Sequence, residues 1–452
     1  MIRNHRTIAV SVTMLLLAIL ACDLPIPTSE PDDTPTLYVA GTDTPEPGAD
    51  TATPDPSATP TPQPVLRLIY TKSGSLYVSE NGGPPVMLTS GGNDYDPMLS
   101  PDGTEVLFKR ELPLSLAGLY RFELRVIGVD GTAERVILSP ADLPGEMGTP
   151  MDAPAPVLLD QQPHQVAWMP QSHGIAFTSR IEAGMGQNHQ DDLWLVDLDT
   201  DTLTEFLPSG DGGTFAYSPD ETLLVVSSVY TVTMLNADGT NRRNLVTFGY
   251  INTASEYSFR PWPVWAPDSS YALVAIPSTE PFAPGATAEL WQLPALGSAA
   301  SLATLAGQFL FSARDGQLWS PDTLHIAYAA PSSTPGDEDL IVADGGGGSP
   351  TVYATSPNLD LVTWVPDSSH FVFWQNNNPG EDYVGQVGVA PQRLIPLAVA
   401  DRIHRLVWAD DVTFAGITGS VNSWTVQLGE IGGPVVAIDT CPDPQVGLTI
   451  HR

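Results

Sequence analysis

The stretch Val362-Thr-Trp364-Val-Pro366-Asp367-Ser-Ser-His-Phe371-Val-Phe373 decides the fold, because variants of it recur along the chain. Val362 and Trp364 fall on one face of a strand by the period of two. Pro at the second position of a type I turn pre-sets φ, Asp accepts hydrogen bonds from the backbone that follows, and a small residue closes the bend. The apolar run after the turn then returns as a second strand. Five further copies are Leu99-Ser-Pro101-Asp102-Gly103, Trp168-Met-Pro170-Gln171, Tyr217-Ser-Pro219-Asp220, Trp265-Ala-Pro267-Asp268 and Trp319-Ser-Pro321-Asp322. A seventh, Trp408-Ala-Asp410-Asp411, has lost its proline, and Gln171 stands where the second turn along the chain should have its Asp. Successive prolines lie 69, 49, 48, 54 and 45 residues apart, and Asp410 follows after 44. In the six proline-bearing copies the apolar run ends seven positions later, at Phe108, Phe177, Val226, Val274, Tyr328 and Phe373.

Hairpin signals fill the space between copies, as in Leu193-Trp-Leu-Val196, Asp197-Leu-Asp-Thr-Asp201 and Leu203-Thr-Glu-Phe206. No window holds a helical period, so everything from Val65 onward reads as all-β. Four antiparallel strands per repeat make a propeller blade, which buries its faces only against neighbouring blades. One more unit precedes the motif-led ones: Leu66-Arg-Leu-Ile-Tyr70, Ser75-Leu-Tyr-Val78 and Val86-Met-Leu88. It lacks a first strand, which the C-terminal Gln445-Val-Gly-Leu-Thr-Ile450 is placed to supply. The expected fold is therefore a single β-propeller of four-stranded antiparallel blades over residues 65–452, with eight blades favoured over seven, preceded by a disordered linker.

The Trp-Ser-Pro-Asp turn followed by an apolar strand is similar to the WD40-like repeat of TolB-type periplasmic propellers, over roughly residues 65 to 440. That resemblance implies the fold and, by analogy alone, protein partners in an envelope complex. The matching residues build turns and packing, so no active-site residue comes with them.

The N-terminus places Arg3 and Arg6 before an apolar run from Ile8 to Ala21. At about 14 residues the run is short of the roughly 20 that span a bilayer, so residues 1–21 read as a signal peptide. Ile19-Leu20-Ala21-Cys22 resembles the bacterial lipobox, which implies cleavage before Cys22 and acylation of that cysteine. The protein is then anchored by acyl chains to the outer face of the cytoplasmic membrane, at the cell surface or in the periplasm according to the envelope. Residues 22–64 are dominated by Thr-Pro, Asp-Pro and Glu-Pro steps, with no Lys or Arg between Cys22 and Arg67. Such a segment cannot bury enough apolar surface to order itself and reads as an extended tether. With 18 Lys and Arg against 52 Asp and Glu, the formal charge is −34. That field repels phosphate backbones and argues against nucleic acid as a partner.

In a propeller, the connections between second and third strands open on the same face as those between blades. The Pro-Asp turns and last hairpins lie on the other face. The long segments here, 138–163, 181–192, 248–263, 276–287, 330–338 and 375–384, all belong to the first class. Loops on a rigid scaffold are where recognition usually resides. The candidate binding residues are His189, Asp191, Arg260, Trp262, Phe282, Asn377, Asp382 and Tyr383. They come from a wider set with Arg180, Glu182, Asp192, Tyr250, Tyr257, Asn376, Asn378 and Glu381. Aromatic and Asn/Asp content of this kind suits a sugar or a peptide.

No Gly-x-Ser-x-Gly elbow is present, so no hydrolase nucleophile is indicated. Asp197-x-Asp199-x-Asp201 begins like a calcium loop, but Thr202 and Pro208 replace the required Gly and Glu, and a solvated hairpin turn is expected. The histidines show no His-x-x-x-His spacing, and neither a metal nor another cofactor is expected. The resulting expectation is a monomeric, non-catalytic scaffold for a protein, peptide or glycan. The alternative is a propeller-fold hydrolase or lyase acting on carbohydrate or peptide through carboxylates near the central channel.

Overall fold

In the computed structural model the described residues are 64–452, except 116–117, 150–154, 183–186, 311–316, 358, 376–380, 390–394, 397–402, 421–422 and 443–445. The signal peptide, Cys22 and the tether up to residue 63 lie outside them. The described chain forms eight antiparallel blade sheets, an all-β propeller of eight blades, and one separate two-stranded hairpin.

Blade 2 shows the plan: Asp94–Leu99, Glu105–Leu112, Arg121–Gly128 and Arg135–Leu138, each paired antiparallel with the next. Blade 3 is Gln161–Trp168, Gly174–Glu182, Leu193–Asp197 and Thr202–Leu207, with a short fifth strand, Gln187–His189, paired to its second, and blade 4 is Thr214–Tyr217, Leu223–Ser227, Thr231–Asn236 and Arg243–Thr247. Blade 5 follows with Val264–Trp265, Tyr271–Pro277, Thr287–Pro294 and Ala300–Ala306. Blade 7 is Leu359–Trp364, His370–Gln375, Glu381–Gln386 and Ile395–Pro396, and blade 8 is Ile403–Trp408, Thr413–Ser420, Ser423–Glu430 and Val435–Cys441. Blade 6 departs from the expected four strands. It has His325–Pro331, Glu338–Asp344 and Thr351–Ser356, and among the described residues its first strand is reduced to a bridge between Trp319 and Ile326.

Blade 1 closes the ring. Its Arg67–Lys72, Ser75–Glu80 and Val86–Met87 are completed by the C-terminal Leu448–His451, with Leu68 opposite Ile450 and Tyr70 opposite Leu448. The closing strand begins three residues later than its apolar pattern suggests. Gly447 precedes it, and a Cβ there would lie 2.4 Å from the Pro97 side chain, so the approach requires glycine.

The repeat residues fill the positions their spacing dictates. Phe108, Phe177, Val274 and Phe373, each seven after a turn proline, are completely buried. Burying such a side chain contributes about 1.5–3 kcal/mol. The motif tryptophans also bind neighbouring blades: Trp168, Trp265 and Trp364 donate their indole N–H to the carbonyls of Met98, Ala216 and Leu318, at 3.2, 3.0 and 3.0 Å. In the turns, the carboxylates engage their own backbone. Asp220 Oδ1 accepts from Ser218 Oγ at 2.6 Å and Thr222 N at 3.1 Å, and Asp322 does the same with Ser320 and Leu324. Asp410, in the slot without proline, still accepts from Val412 N and Thr413 N, at 3.0 and 2.8 Å.

Candidate functional site

Strand order separates two faces of unequal elaboration. On the Pro-Asp face the first-to-second strand connections are short and alike: residues 100–104, 169–173, 218–222, 266–270, 320–324, 365–369 and 409–412. On the opposite face, residues 248–263 run between blades 4 and 5, and residues 139–160 run between blades 2 and 3 with their own hairpin, Glu146–Gly148 against Val157–Leu159.

The elaborated face is held from beneath by two neighbouring aspartates. Asp192 is buried and accepts from Ser179 N at 2.7 Å, Ser179 Oγ at 2.5 Å, Trp194 Nε1 at 2.7 Å and Gln161 Nε2 at 3.0 Å. A buried carboxylate is stable only with such a complement of donors. Asp191 turns the other way and grips Arg260 with both oxygens, at 2.6 and 3.0 Å, which fastens the blade 3 connection to the long 248–263 connection. Asp191 has a φ of +48°, and its carbonyl accepts from the amides of Gly210 and Gly212. A Cβ on Gly212 would meet Asp192 O at 2.3 Å, so glycine is obligatory there.

The remaining candidates divide between surface and wall. Phe282 is 42% exposed and Tyr250 47% exposed, while Trp262 is half-buried. The His189 ring packs edge-on against His164 at 4.3 Å. Asp382 is buried and accepts the Ile403 N–H at 2.7 Å, holding the start of blade 8, and Tyr383 stacks on Phe373 at 5.7 Å. Both of these form wall. Thr253 Oγ1 donates to Tyr257 O at 2.6 Å and bends the long connection. Asn376, Asn377 and Asn378 lie outside the described residues, as do the side chains of Glu182 and Glu381.

The structure adds residues that were not among the sequence candidates. Tyr230, 50% exposed, sits on the short link between the second and third strands of blade 4. Its ring lies 6.5 Å from Tyr250 at a tilt of 49°. Phe248 N donates to Tyr230 O at 2.9 Å, and Asn252 N donates to Thr279 O at 2.9 Å, tying this pair to the connection that carries Phe282. A second group stands over blades 2 and 3. Leu114, Tyr120, Met147 and Leu158 are all exposed, with Met147 directly opposite Leu158 in the inserted hairpin. Tyr120, Tyr230, Tyr250 and Phe282 are the exposed large aromatics among the described residues, and all four lie on this face. The Pro-Asp face shows Leu296, Leu324 and Val412 instead.

Cations on the elaborated side are neutralised in place. Lys72 pairs with Asp439 at 2.7 Å, Lys109 with Asp96 at 3.0 Å, Arg110 with Asp94 at 2.5 Å and Arg121 with Asp160 at 2.9 Å. Burial pushes the Asp439 carboxyl up, but hydrogen bonds from Lys72 and Tyr70 outweigh it and hold the group below its ordinary value. These pairs build no anion receptor. Among the described residues, no three His, Cys, Asp or Glu side chains converge as a metal would require. The Asp197–Asp201 run is a hairpin turn: Asp197 Oδ1 caps the amides of Asp199 and Thr200, at 2.8 and 3.1 Å.

No protein-family model matches the chain, and no curated protein matches it in sequence. Solved structures resemble it in architecture alone. One described as a eukaryotic initiation factor is 10% identical with a TM-score of 0.49, over 86% of this chain and 98% of that one. A prolyl endopeptidase structure is 11% identical with a TM-score of 0.45, over 78% of this chain, which spans half the length of that protein. TolB from Acinetobacter baumannii is 11% identical with a TM-score of 0.35, over 79% of this chain and 65% of that one. At this distance the propeller assignment rests on the chain's own strand pairing.

Proposed function

We propose that the protein is a lipid-anchored, extracytoplasmic propeller that binds a protein, peptide or glycan through its elaborated face and performs no chemistry there. One observation carries this reading: the exposed aromatics of the described chain gather on that face, whereas the turn carboxylates opposite are engaged with their own backbones. Tyrosine, phenylalanine and methionine enrich recognition surfaces because they bring large contact area at low entropic cost.

The anchor rests on Arg3, Arg6, the apolar run and the Ile19–Cys22 lipobox pattern. The folded part is compatible with it. Leu66 exchanges hydrogen bonds with Asn81, and Arg67 Nη1 donates to Gly103 O at 3.3 Å, so the chain enters the propeller at the Pro-Asp face.

Two experiments test the proposal. The anchored protein is recovered from native membranes as wild type, as Tyr230→Ala/Tyr250→Ala and as Leu296→Ala, and co-purifying material is compared. Loss confined to the tyrosine variant is expected; loss confined to Leu296→Ala contradicts the face assignment. For the anchor, inhibition of lipoprotein signal cleavage should raise the mass of the recovered protein. An unchanged mass removes Cys22 acylation and the localisation with it.

A further inference from the structure

The turn of blade 3 is the one in which Gln171 replaces the motif aspartate, and its contacts differ in kind from those of the other turns. A carboxylate comes from next door: Glu221, in the blade 4 turn, accepts the amides of Gln171 and Ser172 at 2.8 Å each and also takes the Ser172 hydroxyl. On the other side His173 reaches across to blade 2. Its Nε2 lies 2.7 Å from Glu105 Oε2, and its Nδ1 lies 2.7 Å from Asp199 Oδ1 on the hairpin of its own blade. The irregular turn is therefore fixed to both neighbouring blades.

A neutral imidazole carries one N–H, and carboxylates at hydrogen-bond distance from both ring nitrogens call for two. We propose that His173 is a proton-dependent staple, which as imidazolium joins blade 2 to blade 3 and as neutral imidazole releases the Asp197–Asp201 hairpin. The charged groups around the ring are Glu105, Asp197, Asp199, Asp201, Glu221 and Arg135. Arg135 bridges the same elements, at 3.3 Å from Glu105 Oε1 and 3.5 Å from Asp201 Oδ1. Three surrounding carboxylates besides the two that touch the ring leave the single arginine outnumbered, so protonation is favoured. Hydrogen bonds to Asp199 and Glu105 raise the His173 pKa above its ordinary value.

Release has a defined site of action. Between the turn and the hairpin lies a small cavity lined by Met169, Ile175, Leu195 and Val196, with His173 and Asp199 at its edge. Asp199 is 74% exposed and Glu105 only 19%, so the hairpin carboxylate is the one free to swing away when the proton leaves. The staple's contribution to stability is complete below the ordinary histidine value near 6.5. It is lost as pH rises through the higher folded-state value.

The test uses the mature chain in detergent, carbon-13 labelled at histidine Cε1, with Glu105→Gln, Asp199→Asn and His173→Gln variants. The His173 resonance, assigned by its absence from His173→Gln, is expected to titrate above about 6.5, and lower in Glu105→Gln and Asp199→Asn than in wild type. The melting-temperature gap between wild type and His173→Gln is expected to be widest at pH 6 and to shrink toward pH 9. A wild-type resonance titrating at or below the ordinary value, or one unmoved by both carboxylate variants, overturns the proposal. Those two variants retain the histidine, and a single resonance that titrates lower in both identifies His173 even where His173→Gln does not fold.

Discussion

On the Pro-Asp face, Asp220 is held by Ser218 and Thr222 of its own turn, and Asp268 by the amide and hydroxyl of Ser270. On the opposite face, Tyr230 and Tyr250 stand about half exposed above a floor in which Asp192 and Asp191 have already bound their donors. The same propeller thus uses short carboxylate-capped turns where it needs seven similar corners, and buried carboxylates under long connections where it needs a surface of particular shape. A turn that satisfies its own polar groups has little left to offer a ligand. A connection fastened from below can present aromatic side chains at small cost in loop entropy.

Four substitutions or conditions sharpen or break that contrast. The largest effect is expected where both faces share a foundation: deleting Leu448–Arg452 removes the inner strand of blade 1 and opens the ring. Loss of the single cooperative thermal transition, followed by near-ultraviolet circular dichroism, is the expected result. Next, Asp192→Ala strands the donors of Ser179, Trp194 and Gln161 in a buried site. At about 1–3 kcal/mol for each buried group left unsatisfied, roughly 3 kcal/mol or more should be lost in denaturant melts.

Acid tests the carboxylate caps of the Pro-Asp face. Hydrogen bonds from Ser100, Ser218 and Ser270 hold Asp102, Asp220 and Asp268 below the ordinary aspartate value. Depressed folded-state values mean that this stabilisation is present above the ordinary value near 3.9 and is lost as pH falls through the lower folded ones. Wild type should therefore be more stable than Asp220→Asn at pH 6, and the gap should close by about pH 2 in pH-dependent urea melts. The smallest stability change belongs to Tyr230→Ala/Tyr250→Ala, within about 0.5 kcal/mol per exposed site. The same pair should produce the largest loss of binding.

Most of the fold was legible because the repeat is local. Pro101, Pro219, Pro267, Pro321 and Pro366 mark turns, and the apolar run after each is a strand whose burial follows from alternation alone. Even ring closure could be read, since blade 1 lacked a first strand and the C-terminal apolar run had no other partner. The reduced first strand of blade 6 was not visible, because Trp319-Ser-Pro321-Asp322 is a full copy of the motif.

The site was legible to the level of a face. Loop length pointed to residues 248–263 and hence to Tyr250, but it passed over Tyr230, whose connection is only a few residues long. It also gathered Asp382 and Tyr383, which lie early in a third strand: one holds Ile403 and the other stacks on Phe373. Which side chain faces out is set by pairing register, and register depends on distant residues. In sequence, Gln171 read only as a departure from the turn pattern. Its replacement carboxylate, Glu221, is 50 residues away and comes from the next blade.

The division of labour between the faces is tested most directly by photo-crosslinking in the native envelope. A benzophenone side chain is placed at Tyr250 in one version of the protein and at Leu296, 86% exposed on the Pro-Asp face, in another. Discrete crosslinked adducts from position 250 and none from position 296 are the predicted result. Adducts from position 296 alone would contradict the account.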